Sequence, residues 1–130
     1  MYKGTIISAT PILANTDIQF GAVLNTNSST DYCGSLIKIK NSGLYDVDAT
    51  IVVTNVPVGN ITLQMYDNGV PVPEATVTAT SSALTDVLVL PLHDVLKVVT
   101  ESGAKVVGLS FRLSVGATIN NALVTVGRIK

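Results

Sequence analysis

The feature that most constrains this chain is a period of two. Tyr45, Val47, Ala49, Ile51 and Val53 alternate with Asp46, Asp48 and Thr50; Ile61, Leu63 and Met65 alternate with Thr62, Gln64 and Tyr66. Val107, Leu109, Phe111, Leu113 and Val115 alternate in the same way with Gly108, Ser110, Arg112 and Ser114. Side chains at every second position share one face of a strand, so each segment reads as a strand with one buried face. Between such segments fall clusters of Gly, Asn, Asp, Pro and Ser, among them "LNTNSSTDY", "KNSG", "NVPVGN", "YDNG" and "VGATINN". Asp67-Asn68-Gly69 predicts a hairpin, because Asn-Gly supplies the positive φ values of a two-residue primed turn. Pro71 and Pro73 in the returning segment cannot donate to a ladder, which predicts a strand at a sheet edge. Nineteen valines, ten isoleucines and fifteen threonines add a supply of β-branched side chains that suits pleated strands. The expected class is all-β, as a sandwich or barrel.

Two stretches break the simple pattern. "DVLVLPL" is apolar at nearly every position, the mark of a strand covered on both faces. In a two-layer sandwich only one of those faces meets the opposite sheet, so the other predicts contact with a second subunit. A charged fraction of 13% beside 47% hydrophobic residues points the same way, since soluble domains carry roughly 25% charged residues. The stretch "LHDVLKVVTESG" also places Leu92, Val95, Leu96 and Val99 at helical spacing, with Gly103 as a cap. The β-branched Val98 and Val99 and the preceding Pro91 favour an extended segment.

The residues that do chemistry are sparse. Net charge is −1 with dispersed cations, which disfavours nucleic acid and anionic membrane surfaces. No apolar run reaches the roughly 20 residues of a membrane span. The start, "MYKGTIISATPILANT", lacks the layout of a secretory signal, so export by that route is not expected. Cys33 is the lone cysteine and reads as an inert thiol. His93 is the lone histidine, with Asp94 next to it rather than opposite, and reads as a surface or interface residue. One His and one Cys do not make a zinc site within a subunit; a symmetric oligomer could gather three copies of His93 on an axis, but nothing in the sequence requires it. Asp46 and Asp48 share a strand face on which a loop acid such as Asp31 would complete a calcium site; the bland reading is a solvated face. No catalytic, cofactor-binding or metal residue is assigned, and an enzyme is not expected. The absence of Trp weakens a stacking platform for sugars, for which Tyr2, Tyr32 and Tyr66 are the exposed candidates.

"SLIKIKNSGLYDVDATIVV", "GNITLQMYDNGVPVP" and "GLSFRLSVGATINNALVTVGRIK", in that order, resemble the jelly roll of the complement-component and tumour necrosis factor-like superfamily. The most specific points are Gly43-Leu44-Tyr45 and Asn68-Gly69. The Val/Thr-rich, Trp-less composition with "NGVPVP" is similar to bacterial and bacteriophage members: heads of collagen-like spore-surface proteins and small capsid or tail-fibre domains. The resemblance implies one domain over 1–130, with 1–16 as N-terminal strand and lead-in. It implies a two-sheet antiparallel jelly-roll sandwich of about ten strands, assembling as a homotrimer. The strands carrying Lys38, Lys40, Thr62, Gln64, Ser110 and Arg112 would then form the outward sheet, and "DVLVLPL" and "NALVTV" would lie on the sheet facing the threefold axis. Val52, Val87, Val89, Leu90 and Leu123 are the expected trimer contacts. Loops 25–32 and 116–121, with Asn27, Tyr32 and Asn120, are the expected recognition loops. The implied function is a non-enzymatic structural or adhesive virion module whose partners are itself and a capsid or tail protein. The alternatives are a receptor- or host-glycan-binding domain, or the head of a bacterial or spore surface protein. Neither a cofactor nor nucleic acid nor membrane enters any of these readings.

Overall fold

A computed structural model of the chain describes residues 2–6, 9–25, 30–33, 36–39, 42–98 and 107–129. Among these the regular structure is eleven strands and no helix. The first sheet runs in the order β3 (Gly21–Asn25), β1 (Tyr2–Ile6), β11 (Ala117–Arg128), β6 (Gly43–Thr54), β9 (Leu88–Val98), with β2 (Thr10–Ile12) also paired to β11. The second runs β4 (Thr30–Cys33), β5 (Leu36–Ile39), β10 (Val107–Leu113), β7 (Gly59–Asp67), β8 (Val70–Ser81). All strand pairings among the described residues are antiparallel. The stretch that could have been helical is strand through Val98; residues 99–103 lie outside the described residues.

The alternation does what it predicts. Tyr45, Val47, Ala49, Ile51 and Val53 of β6 point inward and are wholly or almost wholly buried, as are Ile61, Leu63 and Met65 of β7 and Leu109, Phe111 and Leu113 of β10. With Val124 and Val126 of β11 they form one core between the sheets. Phe20 meets Phe111 edge to face, ring centres 6.0 Å apart at 89°, the geometry that ring quadrupoles favour. Residues 15–18 extend the second sheet past the end of β5. The Asn15 N–H donates to Leu113 O at 2.8 Å and the Ile18 N–H to Phe111 O at 2.9 Å, and Arg112 Nε donates to Asp17 Oδ1 at 2.6 Å.

The β7–β8 hairpin closes through Asn68 at φ 50° and Gly69 at φ 83°, with Asp67 opposite Val70. Asn68 also ties the turn to β10: its N–H donates to Gly108 O at 2.8 Å and its Oδ1 accepts from the Gly108 N–H at 2.9 Å. Beyond the turn the register slips between Gln64 and Tyr66. There Val72, Pro73, Glu74 and Ala75 bulge from the ladder between Pro71, paired with Tyr66, and Thr76, paired with Gln64, and Gln64 Nε2 donates to Val72 O at 2.5 Å and to Ala75 O at 3.1 Å. As the prolines require, β8 is an edge strand.

Candidate assembly face

The outer face of the first sheet is built in rows by strand register. Asn121, Val52 and Val89 form one row; Thr5, Leu123, Thr50 and Pro91 the next; then Lys3, Thr125, Asp48 and His93; then Gly127, Asp46 and Val95. Each row takes one residue from each neighbouring strand, and alternate residues along a strand stay on the same face. Val89 is 54% exposed, Val95 47% and Leu123 41%, and Val87, just before β9, is 62% exposed. Val52 is half-buried between its neighbours. Solvent-facing apolar side chains thus run across three adjacent strands of one sheet.

Leu90 does not belong with them. Its parity is opposite to that of Val89, it stands across from Ile51, and it is wholly buried within its own chain. The expectation that it contacts a neighbouring subunit is therefore corrected: Leu90 is a core residue. A segment apolar on both faces does not reveal which of its residues point inward.

The second sheet presents a different exterior. Thr62, Gln64, Tyr66, Lys38 and Arg112 sit there, together with Thr76, Thr78 and Thr80. The Thr62 and Thr78 hydroxyls share a hydrogen bond at 2.9 Å. The Arg112 guanidinium lies 4.5 Å above the Tyr66 ring and is held on its other side by Asp17, whose carboxylate pushes the Arg112 pKa up. The strands are grouped into two sheets as expected from the sequence, and on the outer face of the first sheet Val52, Val89, Val95 and Leu123 stand among polar residues.

Of the expected recognition residues, Tyr32 and Asn120 fall in strands. Asn27 lies outside the described residues, and of Tyr32 the backbone alone is described, in β4. Asn120 is not a loop residue: it falls within β11 at the register shift between Ile119 and Asn121, and its Oδ1 accepts a hydrogen bond from Thr54 Oγ1 at 3.0 Å. Cys33 lies in β4. Asp31 is also on β4, in the second sheet, whereas Asp46 and Asp48 are on β6 of the first.

What does join them is His93. It stands directly across the β6–β9 ladder from Asp48, and its Nε2 lies 2.6 Å from Asp46 Oδ1. One ligand atom from each of Asp46, Asp48 and His93 falls within 4.8 Å of the others. The signal in the sequence was parity: His93 shares the face of Val89 and Val95. The partner acids, more than forty positions earlier, follow only from the register.

No protein-family model and no curated protein matches the chain. Solved structures do. Eiger TNF from S. frugiperda superposes with a TM-score of 0.72 at 6% identity, covering 99% of this chain and 93% of that one. Murine APRIL gives 0.68 at 9% identity, covering 98% of both chains. The PRD1 vertex protein P5 gives 0.56 at 19% identity, covering 99% of this chain and 96% of that one. At these identities the likeness is one of architecture: the chain has the tumour necrosis factor-like jelly-roll fold.

Proposed function

We propose that the chain is a non-enzymatic structural module of a bacteriophage virion, a capsid-decorating or fibre domain, acting as a homotrimer joined through the outer face of its first sheet. The observation that carries this reading is the exposure of Val87, Val89, Val95 and Leu123 on one side of the sandwich, opposite a second sheet whose exterior is polar. Apolar area is stabilised by about 25 cal/mol per Å² when removed from water, and a second and third copy of the same face supply the cover. The likeness of fold to a phage vertex protein over 99% of this chain supports a place on a virion, with a capsid or tail protein as the further partner. Light scattering at micromolar concentration tests the assembly. A mass three times the 13.5 kDa of one chain is expected, and a mass equal to one chain would remove the reading.

A receptor- or glycan-binding role has one observation in its favour. A groove of about 170 Å³ on the second sheet is lined by Thr62, Gln64, Tyr66, Arg112 and Ser114, and in the proposed trimer it faces outward. Arg112 already covers the Tyr66 ring, however, so the ring does not offer a sugar its free face. Saturable binding on a glycan array, lost in Tyr66→Ala, would promote this reading over the first.

A further inference from the structure

We propose that Asp46, Asp48 and His93 form a binding site for one divalent transition-metal ion of the zinc type, built within a single chain on the outer face of the first sheet. The three side chains come from two adjacent strands joined by a long continuous antiparallel ladder, Gly43 opposite Val98 through Val53 opposite Leu88. The backbone therefore fixes their spacing. Asp46 and Asp48 are two residues apart on one strand face, and His93 faces them from the next strand. Their ligand atoms already lie within 4.8 Å of one another. Donors bound tetrahedrally at zinc distances stand about 3.4 Å apart, so rotation of the side chains alone closes the site.

The chemistry of the donor set selects the ion. Two carboxylates with a neutral imidazole present two negative charges to a divalent cation. A pair between His93 and Asp46 uses one of the acids and leaves the Asp48 carboxylate crowded against a like charge. A cation shared by all three removes that repulsion. The neighbouring cations on this face are Lys3, two strands away in the same row, and Lys97, four residues along β9; neither stands between the acids. An imidazole nitrogen suits zinc, cobalt and related ions, whereas calcium and magnesium take oxygen ligands. His93 and Asp46 side chains are 58% and 43% exposed, so coordination positions remain open on the outward side. Three protein ligands with an open position are a recurrent zinc arrangement. In a trimer joined through this face the open side would look toward the neighbouring copies, but the site needs only one chain.

The test uses the untagged chain of residues 1–130, stripped with a chelator and titrated with Co²⁺ while visible absorption is recorded. One Co²⁺ per chain is expected, with bands of nitrogen and oxygen ligation that Zn²⁺ abolishes by displacement. His93→Ala and Asp48→Asn should each weaken uptake at least tenfold, with Asp46→Asn as a third variant, while Glu74→Gln leaves it unchanged. Circular dichroism verifies that each variant keeps its strands. Absence of saturable uptake, uptake unaltered in the variants, or competition by Ca²⁺ at equal concentration would each overturn the proposal. Light scattering on the same samples separates this result from the assembly reading, because one ion per chain is expected for a monomer and a trimer alike.

Discussion

Val89 lies across the β6–β9 ladder from Val52 on the outer face of the first sheet, and the residue that follows it, Leu90, turns wholly into the core. Two adjacent apolar residues thus face opposite sides of the sheet. Val89 is available to another subunit, and Leu90 belongs to the subunit's own fold.

Charge placed on the exposed member should therefore break assembly without unfolding the chain. Val89→Asp or Leu123→Asp is expected to reduce the mass in light scattering from three chains to one while circular dichroism retains the strand signal. Thr78→Lys, on the outer face of the second sheet, should leave the mass unchanged. The reverse pattern would mean that the second sheet carries the interface.

Truncation of the buried member should act on the fold itself. Leu90→Ala removes side-chain volume from a position with no exposure, and such deletions cost about 2–5 kcal/mol. Urea denaturation is expected to show a loss in that range. A loss below about 1 kcal/mol would show that the core around Leu90 and Ile51 relaxes to fill the space.

These two residues also mark what the sequence can and cannot disclose. Where polar and apolar residues alternate, as from Tyr45 to Thr50, the inward set is visible because a wrong parity would bury Asp46 and Asp48. In "DVLVLPL" neither parity is penalised, so the inward set, Leu88, Leu90 and Leu92, was concealed. Asn120 and Asn121 read as turn residues, yet the register shift in β11 accommodates them within the strand. The Asp46, Asp48 and His93 cluster was hidden for a third reason. It depends on the pairing of strands far apart in the chain, which local pattern does not specify. The Asn68-Gly69 turn, by contrast, is local and was fully legible.

That turn supplies a test of backbone conformation free of packing effects. Gly69 has φ 83°, and a Cβ built there meets nothing within 4 Å. Gly69→Ala should therefore cost only the left-handed conformation, about 1–2 kcal/mol, seen as a lower Tm with the oligomer intact. A neutral result would mean that the turn shifts to another type at no cost, which the hydrogen bonds between Asn68 and Gly108 argue against.

Asp94 gives a prediction of opposite sign. It follows His93 on β9 but has the inward parity, across from the buried Val47, at the edge where β9 passes β8. Its Oδ2 is buried with no hydrogen-bond partner. Burial pushes its carboxyl pKa up; the Val95 backbone N–H opposes this, the Glu74 carboxylate on β8 adds to it, and His93 opposes it. A carboxylate raised in this way is a charge that the fold holds at a cost, so a neutral isostere should relieve it. Asp94→Asn is expected to raise the Tm at pH 7, because the amide carries no charge for burial to penalise. Glu74→Gln should give a smaller rise, because it removes only the like charge on the facing strand. A fall in Tm for Asp94→Asn would show instead that the Val95 N–H bond to a full negative charge outweighs the burial, and that this carboxylate stabilises the edge where the two sheets meet.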